Sequence, residues 1–361
     1  MTWGTDRAAE RAEAARLLGL FLDAGAAPVE TAILQPADTL LDLYGEDIRA
    51  RAFTTQGPEG EAMLRPDFTV PVVEMHMAQG GDPARYAYAG EVFRRQPADA
   101  DRPAEYLQVG FELFGGDPAE ADAECFALFH GALAPLGGRV VTGDIGILTA
   151  AVRGLATSEP RKAALSRHLW RPRRFRALLD RYAGKAPVPA HRAALLDAPD
   201  PFAGAGPEIG LRDRADVAAR IEALRADMAE PPIPATEVQI LDDILEMRAA
   251  APAALSRLRD LAVDMPALDP AVDRLARRLE ALDRAGIPPA DLPFEGSHGR
   301  STMEYYDGFV FSVSLPGRPD LPPVATGGRY DALTRVLGGG RASPAVGGVV
   351  RPALTLEAAR C

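Results

Sequence analysis

The stretch Tyr86-Ala-Tyr-Ala-Gly-Glu-Val-Phe-Arg-Arg-Gln-Pro97, continued by Arg102-Pro-Ala-Glu-Tyr-Leu-Gln-Val-Gly-Phe-Glu-Leu-Phe114, decides the fold. Its first half, Tyr86 to Arg94, is rich in aromatic and β-branched residues and predicts a strand. Pro97 and Pro103, with Asp99 and Asp101 between them, predict a polar loop. Tyr106 to Phe114 then alternates. Leu107, Val109, Phe111 and Leu113 take one face of a second strand, and Tyr106, Gln108, Gly110 and Glu112 the other. Gln108 and Glu112 therefore share a face with side-chain-free Gly110 between them, which suits a small polar ligand lying against the sheet.

On the N-terminal side, Thr5-Asp6 is placed to cap a helix running from Arg7 to Asp23, which Gly25 ends. Pro28 to Leu34 reads as a short strand leading into a turn at Gln35 to Asp38, and Leu40 to Ile48 as helical or irregular. A strand ending at Pro66 hands over to a helix that Asp67 can cap, with Pro71 in its first turn. On the C-terminal side, Pro118 to Leu136 predicts an amphipathic helix in which Cys125 and His130 read as packing residues. A strand over Arg139 to Ile145 and another helix from Gly146 follow.

From about Glu159 to Ile287, Ala, Leu and Arg dominate and Pro/Gly pairs punctuate helices. Arg167, Arg171, Arg173, Arg174, Arg176 and Arg181 crowd one part of this segment. They suit either a phosphate-bearing partner or plain solvation, and Phe175, Leu178 and Leu179 at helical spacing favour the solvated face. Strand character returns over Tyr305 to Ser314, with Tyr305 and Phe309 expected on one face and Tyr306 and Val310 on the other. Thr326 to Asp331 reads as a tight turn into a helix over Asp331 to Leu337. Gly338 to Gly340 closes that helix, Ser343 to Val350 is a strand, and Arg351 to Arg360 a short helix. The triple glycine lacks the spacing, lysine and hydroxyl of a phosphate-binding loop.

Composition narrows the function classes. The 361 residues are enough for two domains, and 47% hydrophobic with 25% charged residues is ordinary for a globular protein. A net charge of -11 opposes nucleic-acid binding. Two cysteines and five scattered histidines provide neither a disulfide framework nor metal-ligand spacing, so neither metal nor cofactor is expected. There is no basic-then-apolar leader and no run of about 18 apolar residues, which points to a cytoplasmic protein without a membrane segment.

Several motifs then fall in a fixed order: Leu64-Arg-Pro-Asp-Phe-Thr69, Phe93-Arg94, Gln108-Val-Gly-Phe-Glu112, Tyr305-Tyr306, Gly327-Gly-Arg-Tyr-Asp331 and Ala345-Val-Gly347. Together they resemble the catalytic core of the histidyl-tRNA synthetases, and within that superfamily the synthetase-like regulatory subunits of ATP phosphoribosyltransferase. The resemblance covers nearly the whole chain outside the helical segment. It implies an α/β (α+β) fold, a class II aminoacyl-tRNA synthetase-like antiparallel sheet flanked by helices. The core would comprise residues 1–155 and 290–361, with a helical insertion over 156–289 and no anticodon-binding domain.

The departures from the synthetase pattern carry the functional expectation. An activating arginine would stand at Ser301, and Arg300 is one place off. The arginine that grips the ATP triphosphate would stand at Leu354, behind Pro352, and the acidic residue two after Arg94 is Gln96. Without these charges, the strong contacts to phosphate and to charge developing on it are missing. The resemblance therefore implies a catalytically inert subunit. It would bind L-histidine through Asp67, Thr69, Arg94, Gln108, Glu112, Tyr305 and Tyr306, with carboxylates for the ammonium, Gln, Glu and Tyr for the imidazole, and Arg94 for the carboxylate. It would also dimerise through its core and assemble with the short catalytic subunit of ATP phosphoribosyltransferase, as a hetero-octamer, without tRNA. The alternatives are a truncated histidine-activating synthetase and a regulator of another enzyme.

Overall fold

Asp6 caps helix α1 (Arg7–Asp23) by accepting the N–H groups of Ala8 and Ala9 at 3.1 and 3.0 Å. Gly25, at a φ of 89°, then lets the chain turn away. The computed structural model describes residues 6–44, 50–57, 60–96, 103–300 and 305–358. The loop expected around Asp99 and Asp101 lies outside them, as do Thr5 and Ser301.

The run Pro28 to Leu34 is not one strand. Strand β1 (Ala27–Pro28) belongs to the main sheet, whereas β2 (Leu34–Pro36) joins a three-stranded sheet after which α2 (Ala37–Tyr44) starts directly. That small sheet is completed by β3 (Thr54–Gly57) and β4 (Gly60–Leu64). The crossing is held by Arg65, which donates Nη1 to the Thr31 carbonyl at 2.6 Å and Nε to the Glu91 carbonyl at 2.8 Å. A side chain distant in sequence thus satisfies backbone that a continuous strand would have paired.

After α3 (Thr69–Gln79) come the two decisive strands, β5 (Ala84–Phe93) and β6 (Glu105–Phe114), paired antiparallel with Tyr88 opposite Gly110. Helix α4 (Pro118–Leu133) and strand β7 (Arg139–Asp144) follow as their periodicities predict, then α5 (Ile145–Gly154). The next segment holds α6 (Glu159–Arg167), α7 (Pro172–Tyr182), α8 (Ala190–Asp197), α9 (Arg214–Ala229) and α10 (Ala235–Glu246). It continues through β8 (Arg248–Ala250), α11 (Ala251–Asp264) and α12 (Asp269–Arg284). The chain ends its described part with β9 (Pro293–Glu295), β10 (Phe309–Ser314), β11 (Ala325–Arg329), α13 (Asp331–Leu337), β12 (Ala345–Val350) and α14 (Pro352–Ala358).

The main sheet has nine strands in the order β1-β5-β6-β12-β11-β10-β7-β9-β8, antiparallel except at β1–β5 and β7–β9. Helices α1 and α4 cover one face. Phe21 meets Phe111 at 5.7 Å between ring centroids, and Phe129 meets Phe311 at 5.4 Å. Residues 325–329 are a central strand and not the expected turn. Their glycines serve packing, because a Cβ on Gly327 would come within 2.4 Å of the Phe311 ring, and one on Gly328 within 2.6 Å of the Phe309 carbonyl.

In the arginine-rich segment, Phe175 and Leu179 are buried as their spacing predicts. The arginines divide. Arg161 and Arg181 converge on Asp227 and Arg176 meets Asp242, while Arg173 and Arg174 are exposed and make no ion pair among the described residues.

A buried charge network fastens α12 to the sheet. Arg278 donates to Asp122 on α4 at 3.1 Å and to Asp144 at the end of β7 at 2.7 Å. Arg329 on β11 reaches the other Asp122 oxygen at 2.9 Å. Asp144 also caps α5 through Gly146 N at 2.8 Å. Removing one partner strands an uncompensated charge in the interior. Arg278→Ala is expected to destabilise the protein by about 3–5 kcal/mol in urea denaturation, and a loss under about 1 kcal/mol would show the network to be dispensable.

Candidate functional site

The site is built where β5, β6, β11 and the start of α3 meet. Glu112 projects from the middle of β6 and is buried among hydroxyls. Its Oε1 accepts Thr69 Oγ1 at 3.1 Å and Tyr88 Oη at 2.8 Å, and its Oε2 accepts Tyr330 Oη at 2.5 Å. Tyr305 extends the chain of hydroxyls, donating to Thr69 Oγ1 at 3.4 Å. A carboxylate offers about four acceptor sites, so three neutral donors leave one on Oε2 for a ligand N–H. Burial pushes the Glu112 carboxyl up to about 7, against the downward pull of Tyr330, Tyr88 and Thr69. Its neighbours respond in kind, with burial raising the phenols of Tyr88, Tyr306 and Tyr330.

Backbone glycines make the room. Gly347 on β12 pairs with Glu112, and a Cβ there would lie 1.6 Å from Oε2. Gly110 has the same role for Tyr88, whose ring a Cβ would meet at 2.1 Å. This corrects the sequence expectation that the bare position at Gly110 is open to ligand. The ring of Tyr88 fills it, stacked on Phe68 at 4.3 Å and 11°.

At the other end of the same face, Gln108 is fully buried, and neither Oε1 nor Nε2 has a hydrogen-bond partner. Asp67 is buried two residues before α3. Its Oδ1 accepts Val70 N at 3.4 Å, so it does tie down the helix start, but Phe68 and not Asp67 holds the capping position. Burial raises the Asp67 carboxyl, opposed by the nearby charge of Arg94. Arg94 is fixed by an Nε bond to the Pro66 carbonyl at 2.7 Å. Tyr305 and Tyr306 precede β10 and do not alternate across a strand. Their rings meet edge to face at 4.8 Å, Tyr305 bonds Thr69, and Tyr306 packs over Gly328.

All seven expected residues thus gather around one face of β6. Two further members, Tyr88 and Tyr330, are set by strand register and by the turn after β11, which no local pattern encodes. Of the departed positions, Leu354 is fully buried apolar core in α14, and Arg300 turns away. Arg300 bonds the Leu169 carbonyl at 2.8 Å and lies over the Phe175 ring. Among the described residues no group of three or more His, Cys, Asp or Glu could hold a metal ion, and no helix is long and apolar enough to cross a membrane.

The whole chain can now be set beside known proteins. The family model described as histidyl-tRNA synthetase matches residues 5–220 and 213–353. A crystal structure described as an ATP phosphoribosyltransferase regulatory subunit/histidyl-tRNA synthetase from Bacillus halodurans superposes with a TM-score of 0.68 at 21% identity, over 99% of this chain and 82% of that one. Fold and site together therefore define a class II synthetase-like protein. The ATP phosphoribosyltransferase regulatory subunit of Brucella anthropi is 34% identical over 88% of this chain and 89% of its own length. That of Mesorhizobium japonicum is 33% identical over 92% and 94%. The chain belongs to the family of ATP phosphoribosyltransferase regulatory subunits.

The raised carboxyl of Glu112 has a pH consequence. Because the folded value, about 7, exceeds the value of 4.5 for a free glutamate, Glu112 favours folding most below pH 4.5. That contribution is lost as pH rises through 7. Relative to Glu112→Gln, the wild-type melting temperature should fall between those limits and then level off. A pH-independent difference between the two proteins would mean that the Glu112 carboxyl titrates in the fold as it does in the unfolded chain.

Proposed function

We propose that this chain is the regulatory subunit of a short-form ATP phosphoribosyltransferase and is itself catalytically inert. Its partner would be the short catalytic subunit, which joins ATP to phosphoribosyl pyrophosphate, releasing pyrophosphate, in the first step of L-histidine biosynthesis. The regulatory chain is required for the active arrangement of that subunit and carries the histidine feedback. It dimerises through its core and assembles as a hetero-octamer in the cytoplasm, without tRNA. Residues 156–289 are taken as the insertion and residues 1–155 and 290–361 as the core.

The observation that carries a ligand-binding role is Gln108. A buried amide with both polar atoms unpaired is costly, and the cost is removed when a ligand supplies the partners. With Glu112 offering an acceptor and Asp67 a carboxylate, a small molecule with an imidazole and an ammonium fits the donor and acceptor set. Inertness is supported by Leu354 in the apolar core and by Arg300 bonded toward α7, which leave neither position able to meet a triphosphate. Feedback further requires that histidine bind one state of the assembly better than another.

Calorimetric titration of the full chain tests this. L-histidine should bind, Glu112→Ala should weaken it at least about tenfold, the loss of one hydrogen bond to a charged group, and ATP should not bind. ATP binding accompanied by pyrophosphate exchange would instead establish an activating enzyme. Added to the purified catalytic subunit, the chain should raise phosphoribosyl-ATP formation and make it sensitive to histidine. No change in rate would assign it to a different partner.

A further inference from the structure

The helical segment holds a cavity of its own. Helices α6, α7, α8 and α9 enclose about 210 Å³, lined by residues between Arg161 and Pro232. Helix α7 ends at Tyr182, and Gly184, at a φ of 71°, turns the chain so that Ala186 and Val188 join the wall. None of the lining residues belongs to the strands and helix around Glu112.

The cations of this cavity are unequally spent. Arg161 is 6% exposed and commits its whole fork to α9 and the chain that follows it. Its Nε donates to Asp227 Oδ1 at 2.7 Å, Nη2 to the Asp227 carbonyl at 2.5 Å and Nη1 to the Pro231 carbonyl at 2.8 Å. Arg181 is left with the outer edge of the same carboxylate. Its Nη2 stands 3.5 Å from Asp227 Oδ2, and its buried Nε has no partner. Arg192 of α8 is half-buried and makes no ion pair or side-chain hydrogen bond among the described residues. Three of the lining residues are arginines and two, Asp227 and Glu230, are acids, so one positive charge is in excess.

Much of the remaining wall is apolar. The guanidiniums of Arg161 and Arg181 lie over the Tyr182 ring at 4.9 and 4.7 Å. Tyr182 and Leu196 are buried, whereas Val188 and Met228 remain 40% and 43% exposed. Apolar side chains open to water beside an under-compensated cation gain on both counts from a ligand that is apolar at one end and anionic at the other.

We propose that this cavity is a second ligand site, taking a small monocarboxylate with an apolar body whose carboxylate is held by Arg181 and Arg192. A guanidinium presents paired N–H donors that match a carboxylate, and a single negative charge closes the balance. The volume lies below the roughly 300–1,000 Å³ of drug-sized sites, which limits the ligand to a small metabolite. A nucleoside triphosphate exceeds both the space and the charge. This site is independent of the histidine pocket and stands or falls without it.

Benzoate, its neutral counterpart benzamide and inorganic phosphate serve as probes, titrated on the full chain by ligand-observed NMR. Benzoate should bind at least about tenfold more tightly than benzamide, the margin for a hydrogen bond to a charged group. It should also bind more tightly than phosphate. Arg181→Gln and Arg192→Gln should each weaken benzoate by about tenfold. Glu112→Ala should leave benzoate unaffected, and L-histidine should not displace it. Arg192→Gln breaks no ion pair or hydrogen bond among the described residues, so it reports on the ligand even where Arg181→Gln does not fold. Equal binding of benzoate and benzamide, or benzoate binding untouched by Arg192→Gln, would overturn the carboxylate contact. Phosphate binding as tightly as benzoate would overturn the apolar half of the site. Displacement of benzoate by L-histidine would put it in the Glu112 pocket, and no binding of benzoate would leave the cavity to water; either result overturns the site.

Discussion

The structure depends on placing one carboxyl group, Glu112, in the interior of a nine-stranded sheet. Everything around it follows from the need to meet its two oxygens without a counter-charge. Thr69, Tyr88 and Tyr330 supply hydroxyls, and Gly347 and Gly110 clear the space in which the carboxyl and the Tyr88 ring lie. Hydroxyls can re-aim, whereas an arginine in their place would neutralise the group and close the acceptor that remains. Burial without a counter-charge raises the Glu112 carboxyl to about 7, so near neutrality it is present both as a protonated donor and as an ionised acceptor.

How much of this the sequence discloses depends on whether a feature is local. Strands β5 and β6 and the sharing of a face by Gln108 and Glu112 follow from alternation alone, since side-chain direction in a strand repeats every two residues. Tyr88 lies in the same strand sequence, yet its place over Gly110 depends on register between two strands joined by a loop, and no local pattern fixes that. Strand β11 misleads for a related reason. Gly327 and Gly328 are there because the Phe311 ring and the Phe309 carbonyl approach closely, and glycine that serves packing has the same letter as glycine that serves a turn. Tyr305 and Tyr306 fail the alternation rule because the strand begins only at Phe309.

The departures from the synthetase pattern become physical when the neighbours are seen. A leucine at position 354 is simply the correct residue for a fully buried place on α14. The sequence motif marks the loss, but only the packing shows that the position has been absorbed into the core. Arg300 is similar. One residue of displacement carries its guanidinium to the Leu169 carbonyl and the Phe175 ring, where it helps hold the helical segment. Charge that could have met a phosphate has there been turned to structural use.

Regulation requires that the pocket be connected to something that moves, and the fold supplies one short connection. Arg329 and Tyr330 are consecutive. The phenol of Tyr330 ends on Glu112, and the guanidinium of Arg329 ends on Asp122, which also holds Arg278 of α12. A displacement of the end of β11 therefore disturbs both the Glu112 carboxyl and the buried charges that fasten the helical segment. Such adjacency is a route and not yet a switch. It becomes one only if the ligand on Glu112 stabilises one position of Tyr330 over another, because a ligand shifts an equilibrium by no more than its difference in affinity for the two states. The free acceptor on Oε2, the atom that Tyr330 also uses, is where that difference would arise.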